Sequence, residues 1–68
     1  MIHNRIREYR AREKMKQEEL AALVGVRRET IGNLESGRYN PSLVLAWRIA
    51  KVFGVTIEEI FTVDEDPA

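Results

Sequence analysis

Three glycines divide most of this chain into short segments in which apolar residues recur at intervals of three and four. This spacing puts apolar side chains on one face of an α-helix, and glycine often ends a helix because it adopts the left-handed backbone conformation without strain. Stretches that alternate apolar and polar residues, as strands do, are nearly absent. Gly25, Gly37 and Gly54 therefore predict an all-helical fold.

The segments between these glycines predict five helices. Asp and Glu are favoured in the first turn of a helix, where Glu18 and Glu19 lie, and a serine or threonine before a helix caps its free amides, as expected for Ser42 and Thr56. The predicted helices cover residues 4–14, 17–24, 28–36, 43–53 and a short segment after 56. The second and third are joined by a short turn containing Gly25, which is typical of a helix-turn-helix, although spacing alone also allows an ordinary helical hairpin.

The fourth predicted helix has more apolar residues than one face can hold. Its buried side is predicted to consist of Leu43, Ala46, Trp47, Ile49, Ala50 and Phe53. Isolated apolar residues on a surface are common, so the remaining ones need no special role. We nevertheless interpret the remainder, with two residues near the end of the chain, as a self-association surface made of Val44, Leu45, Val52, Phe61 and Val63.

The two ends of the chain are also predicted to meet. Residues 2–3 and 61–63 are apolar or favour β-structure, so they can pair as two short strands close to the self-association surface. Residues 64–68 are expected to form a loose acidic tail.

Composition limits what this chain can do. A chain of 68 residues has room for one domain, and it has no cysteine and a single histidine, His3. We therefore expect neither a metal site nor a cofactor, and no small-molecule ligand is evident. We also expect no enzyme activity, because no nucleophile stands beside a base and no glycine-rich phosphate loop is present.

Charge is unevenly distributed although the formal net charge is zero. Residues 1–16 carry six Lys/Arg and two Glu (+4), whereas residues 52–68 carry five Asp/Glu and no base (−5). A basic region suits a polyanion, and an acidic end then points away from it. No apolar run approaches the ~20 residues that cross a bilayer, so we expect a cytoplasmic protein with no membrane partner.

Several motifs at fixed spacing resemble the Cro and lambda-type repressor family, also called the XRE family. They are Q-E-E-L-A-A-L-V-G-V at residues 17–26, T-I at 30–31, E-S-G-R at 35–38 and N-P-S-L at 40–43. The likeness covers about residues 4–61 and is strongest to short stand-alone regulators similar to cytolysin-operon repressors. The resemblance implies a single lambda-repressor-like domain over residues 1–68, with its helix-turn-helix at about 17–36.

The resemblance also implies a DNA-binding role for particular residues. The third helix would enter the major groove and read bases with Arg28, Glu29, Thr30 and Asn33. Contacts to the DNA backbone would come from Gln17, Arg27, Arg38, Tyr39 and Asn40. Arg10 and Glu35 match a structural ion pair that joins the first helix to the end of the third.

The sequence departs from the family pattern at three positions. Lys16 and Arg27 stand where the family usually has a capping serine or threonine, so the caps of the second and third helices are expected to be weak. Gly32 lies within the third helix, where it either permits close approach to DNA or makes the helix pliable.

Two functions follow from these patterns. The leading prediction is a homodimeric repressor that reads a palindromic operator in double-stranded DNA. The alternative is an antitoxin or other protein-interaction module, which would hold a partner protein on the exposed apolar residues of the fourth helix.

Overall fold

The computed structural model describes residues 2–64, which form five helices and one two-stranded sheet. The elements in chain order are β1 (Ile2–Asn4), α1 (Ile6–Arg12), α2 (Gln17–Val24), α3 (Arg28–Glu35), α4 (Leu43–Phe53), α5 (Ile57–Ile60) and β2 (Phe61–Val63). The predicted five-helix fold with paired terminal strands is confirmed. Residues 65–68, most of the predicted tail, lie outside the described residues.

Glycine and hydroxyl side chains end and begin the helices as the sequence indicates. Gly25 and Gly54 cap the ends of α2 and α4 with φ angles of 76° and 67°, in the left-handed region that glycine tolerates. The Ser42 hydroxyl accepts a hydrogen bond from the Leu45 amide at 3.1 Å. Thr56 caps α5 by accepting from the Glu59 amide at 3.2 Å. These local signals fix the bounds of α2 and α4 at the predicted residues.

α1 is shorter than predicted at both ends. Its first predicted residue, Asn4, belongs to β1 because it pairs with Phe61. The helix ends at Arg12, and Lys14 has a φ of 51°, which is incompatible with a continuing right-handed helix.

The core lies between the helices and is entirely apolar among the described residues. Its fully buried large side chains are Ile6, Leu20, Val24, Ile31, Leu34, Ile49 and Ile60. α2 packs against both α3 and α4, and α5 packs against α4. Small residues at the contacts, Ala21 and Ala50, are each 3% exposed and permit close approach of these helices.

The predicted burial of α4 is wrong at three positions. Leu43 and Trp47, which were predicted to be inside, are 75% and 53% exposed, whereas Leu45 is only 7% exposed. Arg48 and Lys51 mark one outward side of α4, but apolar residues occupy the rest of its circumference, so its own pattern leaves the edges of the buried face open. Packing against α2 and α5 decides it, and that packing turns Leu45 inward.

The terminal strands pair antiparallel with Ile2 opposite Val63, His3 opposite Thr62 and Asn4 opposite Phe61. The pairing continues into the helices through a 2.8 Å hydrogen bond that the Arg5 amide donates to the Ile60 carbonyl. Phe61 is 8% exposed and belongs to the core of the single chain, so it is not part of an exposed surface.

Residues 2–64 lack the features of a membrane-spanning helix and of a metal site. No helix within residues 2–64 is long and apolar enough to cross a bilayer. Over the same residues, no group of three or more His, Cys, Asp or Glu side chains comes together as a metal site.

Candidate nucleic-acid interface

α2 and α3 form a two-helix unit with a sharp turn between them. Gly25 ends α2, and the Val26 amide closes the turn by donating to the Ala21 carbonyl at 3.0 Å. Ile31 and Leu34 are 0% and 1% exposed, so one face of α3 is anchored in the core. The opposite face of α3 is thereby presented to the outside as a fixed surface.

Polar side chains cover the outward face of α3. Glu29 and Asn33 lie one turn apart, and the side chains of Arg28 and Glu29 are 57% and 66% exposed. Arg28 Nη2 lies 3.9 Å from Glu29 Oε1. Thr30, which the sequence grouped with these residues, is half-buried at the edge of the face.

Ser36 belongs to the same surface but was missed by the sequence analysis. It caps the end of α3, is exposed, and donates its hydroxyl to the Asn33 carbonyl at 3.2 Å. Its position three residues after Asn33 and seven after Glu29 is the signal that identifies it, because residues at these spacings share a helical face.

A buried carboxylate joins α1, α2 and α3. Glu35 at the end of α3 has a side chain 1% exposed and accepts hydrogen bonds from Arg10 Nε at 2.6 Å and Arg10 Nη2 at 3.0 Å. The Arg10 guanidinium also donates to the Met15 carbonyl at 2.9 Å. The predicted pairing of Arg10 with Glu35 is thus present in the structure as a two-bond contact, the strongest geometry for this kind of pair.

The surroundings of Glu35 keep its carboxyl ionised. Burial by itself raises its pKa, but hydrogen bonds from Arg10 and Gln17 and attraction to Arg10 and Arg7 more than offset this and lower the pKa below its usual value. The negative charge is therefore retained at neutral pH, where it holds the end of α3 against α1.

Gln17 extends this cluster toward the outward face of α3. Its amide nitrogen donates to Glu35 Oε1 at 3.0 Å, and its amide oxygen accepts from Arg28 Nη1 at 3.4 Å. Gln17 was predicted to contact the DNA backbone, but its half-buried side chain is engaged within the chain. One of the candidate base-reading residues, Arg28, is consequently held by a bond from α2.

Gly32 faces this Gln17 side chain. A Cβ added at Gly32 would lie 3.8 Å from Gln17 Nε2, which is ordinary contact distance. The neighbour of Gly32 is therefore a side chain of the same molecule, and the structure gives no support to the expectation that the glycine permits close approach of DNA.

The other candidate backbone-contact residues surround α3. Arg27 precedes the helix, and Arg38, Tyr39 and Asn40 follow it in the loop that begins at Gly37; all four are exposed. The Arg38 amide donates to the Asn33 carbonyl at 2.9 Å, which fixes the start of this loop against the helix.

As predicted, the side chains of Lys16 and Arg27 do not cap the helices that follow them. Neither residue accepts a hydrogen bond on its side chain from the following helix, as expected for side chains that carry only donors. The Lys16 amide itself donates to Glu19 Oε1 at 3.0 Å, which satisfies one group at the start of α2.

This arrangement is that of a helix-turn-helix domain whose second helix carries an exposed polar face. The family model for helix-turn-helix proteins matches residues 6–60, which is most of the chain. The chain belongs to this family, of the XRE or Cro/C1 type, whose members are DNA-binding transcriptional regulators rather than enzymes.

Relatives and solved structures agree with this assignment. An uncharacterised HTH-type transcriptional regulator of Archaeoglobus fulgidus is 60% identical over 65 residues, covering 96% of this chain and 92% of the relative. The cryptic phage CTXphi transcriptional repressor RstR of Vibrio cholerae is 34% identical over 96% of this chain and 59% of its own length. The restriction-modification controller protein C.AhdI of Aeromonas hydrophila superposes with a TM-score of 0.74 at 35% identity, covering 79% of this chain and 82% of that one.

Proposed function

We propose that this regulator is a homodimeric, sequence-specific repressor that reads a palindromic operator with α3 in the major groove. The observation that carries the proposal is the exposed polar face of α3, held in one orientation by the buried Arg10–Glu35 contact. A helix that reads bases must be fixed relative to the DNA backbone, because each base edge is recognised by hydrogen bonds of definite direction.

Each side chain of this face suits a different base edge. Arg28 donates two hydrogen bonds to guanine O6 and N7, Asn33 pairs with adenine N6 and N7, and Glu29 accepts from cytosine N4. Thr30 at the edge of the face contacts a thymine methyl group or a phosphate. Ser36 adds a hydroxyl that contacts either a base or the backbone. A good bidentate contact discriminates against the wrong base by roughly 1–3 kcal/mol.

Positive and polar groups on both sides of α3 suit phosphate contacts. Arg27 before the helix and Arg38, Tyr39 and Asn40 after it would hold the two ends of α3 against the DNA backbone. Gln17 would act mainly by orienting Arg28, since Arg28 Nη1 donates to its amide oxygen at 3.4 Å.

Exposed apolar residues support the dimer. Leu43 lies beside Val44 and Trp47 on one side and lines a groove with Val63 on the other. We call these four side chains the apolar patch: Leu43, Val44, Trp47 and Val63, which are 75%, 57%, 53% and 66% exposed. Of the residues predicted for self-association, Val44 and Val63 belong to this patch, Val52 is half-buried, and Leu45 and Phe61 lie in the core. In this proposal a second copy of the chain covers the patch, and the two α3 helices read half-sites one helical turn, about 34–36 Å, apart.

The name of one relative favours repression. RstR is a transcriptional repressor, and its match at 34% identity covers 96% of this chain and 59% of RstR. Repression by a domain of this size requires only that the bound dimer occupy a promoter.

Selection from a random pool of DNA duplexes tests the proposal. The protein is incubated with the pool at about physiological salt, and the bound duplexes are sequenced. We expect a palindrome whose half-sites are one helical turn apart, with affinity that falls steeply as salt rises because each phosphate contact releases counterions. Enrichment of a single half-site would contradict the dimer.

A second candidate is a protein-interaction module, and the apolar patch is the observation that favours it. A half-exposed tryptophan among aliphatic residues is typical of protein contacts. The selection experiment separates the two functions. A folded protein that enriches no DNA sequence has no operator, and this result would favour protein binding through the apolar patch.

A further inference from the structure

Asn4 joins three elements of the fold with one side chain. It lies in β1, where it pairs with Phe61 of β2. Its amide oxygen accepts from the Ile6 amide at 3.2 Å, at the first residue of α1. Its amide nitrogen donates to the Leu34 carbonyl at 2.8 Å, in the last turn of α3. Strand, first helix and candidate reading helix therefore meet at this residue.

The bond to Leu34 closes the end of α3 from a distant part of the chain. The last carbonyls of a helix have no partner within the helix, so they require hydrogen bonds from elsewhere. The Leu34 carbonyl accepts from the Gly37 amide at 3.1 Å and, with its second lone pair, from Asn4. Asn4 is thus a side-chain cap contributed from 30 residues upstream.

Asn4 thus adds to the contacts that Arg10 and Gln17 make with Glu35 in the last turn of α3. Arg10 of α1 contacts the Glu35 carboxylate, and Asn4 of β1 contacts the preceding carbonyl. The contacts of Arg10 and Asn4 come from different elements: Arg10 joins this turn to α1, whereas Asn4 joins it to the terminal sheet. Ser36 and Arg38, candidate DNA contacts, follow directly after this turn.

We propose that Asn4 is a positioning residue for DNA reading: it fixes the C-terminal turn of α3 to the terminal sheet and thereby orders Asn33, Ser36 and Arg38 before DNA binds. This inference rests on the proposed function. Without the Asn4 bond the last turn of α3 frays in the free protein, and binding to DNA then has to order it. Affinity for the operator falls, whereas loose, nonspecific binding through exposed cations does not.

Two substitutions separate the bond to α3 from the bond to α1. Asn4→Asp keeps the oxygen that accepts from Ile6 but removes the donor to Leu34. Asn4→Ser is a neutral second variant whose shorter side chain still accepts from a backbone amide two residues on, yet does not reach α3. Thr62→Asp is the control, because it adds the same charge at an exposed residue of the neighbouring strand.

Amide hydrogen exchange measures whether the last turn of α3 is formed, and it does so in the absence of DNA. The amides of Ser36, Gly37 and Arg38 donate to carbonyls of α3, so their protection reports whether its last turn is formed. We expect faster exchange at these three amides in both Asn4 variants. Exchange should be unchanged at Gly54, whose amide reports the end of α4, and in Thr62→Asp.

Binding to the selected operator and to a random-sequence duplex completes the test. We expect both Asn4 variants to lose about three- to tenfold in operator affinity, the range that corresponds to one hydrogen bond, with random-duplex affinity unchanged. A purely structural role would instead lower the melting temperature and weaken binding to both duplexes equally. The proposal would be overturned if both Asn4 variants exchanged the amides of residues 36–38 as slowly as wild type. It would also be overturned if both bound the operator as tightly as wild type.

The exchange measurement keeps this proposal distinct from the proposed function. If the wild-type protein selects no operator, the proposed function fails and the role of Asn4 in reading fails with it. Exchange at residues 36–38 in that case still shows whether Asn4 holds α3, because that measurement uses no DNA.

Discussion

Replacing the buried carboxylate is the perturbation whose effect follows most directly from the structure. Glu35→Gln retains the shape of the side chain and its contact with Gln17 but removes the negative charge. It leaves the Arg10 guanidinium, whose side chain is 14% exposed, beside a neutral amide. The 3.0 Å hydrogen bond to Oε1 is no longer charge-assisted, and the 2.6 Å bond is lost because the amide nitrogen that replaces Oε2 cannot accept from Arg10 Nε.

The expected loss is a large part of the total stability. Removing one partner of a buried ion pair typically costs 3–5 kcal/mol, and the partial exposure of Arg10 places this case near the lower end, about 3 kcal/mol. A chain of 68 residues has an unfolding free energy of roughly 3–10 kcal/mol at typical values per residue. The Glu35→Gln variant should therefore retain about 0–7 kcal/mol of unfolding free energy and unfold at a clearly lower urea concentration than wild type.

Urea unfolding followed by circular dichroism measures the effect in a double-mutant cycle of Glu35→Gln, Arg10→Met and the pair together. We expect the double variant to lose at least about 1 kcal/mol less than the sum of the single variants, because it leaves no unpaired buried charge. Glu13→Gln, at an exposed acid, is the control and should change stability by less than about 0.5 kcal/mol. Additive losses, or a loss below about 1 kcal/mol for Glu35→Gln, would refute the reasoning.

Three further predictions concern pH, α3 and the apolar patch. Since folding lowers the pKa of Glu35, its contribution to stability is fully present above the usual value of 4.5 and is lost as the pH falls through the lower folded value. Urea midpoints between pH 6 and pH 3 should therefore fall more for wild type than for Glu35→Gln, and equal falls would contradict this. Gly32→Ala should raise stability by up to about 1 kcal/mol in thermal unfolding, because a Cβ there meets only ordinary contacts; a loss would show that Gln17 cannot accommodate it. Val63→Glu should lower self-association in sedimentation with the melting temperature unchanged, whereas Leu45→Glu should unfold the chain because Leu45 is 7% exposed; the reverse pattern would exclude the apolar patch as the dimer contact.

Local signals made the helices predictable. α2 and α4 have the predicted bounds because Gly25 and Gly54 at their C-terminal ends, and Ser42 at the start of α4, act within a few residues of the helix they delimit. The outward face of α3 was predictable for the same reason, since Ile31 and Leu34 define its buried side at helical spacing. Arg10 and Glu35 were paired through the family resemblance, and the structure shows the contact at 2.6 Å.

Contacts between distant residues were not predictable. Leu43, Leu45 and Trp47 were placed on the wrong sides of α4 because an apolar helix does not reveal which neighbours it packs against. The bond from Asn4 to Leu34 and the engagement of Gln17 by Glu35 join residues 30 and 18 positions apart. Such contacts depend on how the helices assemble, which is a property of the whole fold rather than of any segment.

The central claim is that the outward face of α3 reads bases, and parallel selections with wild type and Asn33→Ala test it most directly. Asn33 is exposed, and its side chain makes no hydrogen bond to another element within residues 2–64, so the variant should fold normally. We predict that wild type selects a palindrome and that Asn33→Ala selects the same palindrome with preference lost at one position in each half-site. An unchanged motif, or affinity lost equally for selected and random duplexes, would contradict base reading by this face of α3.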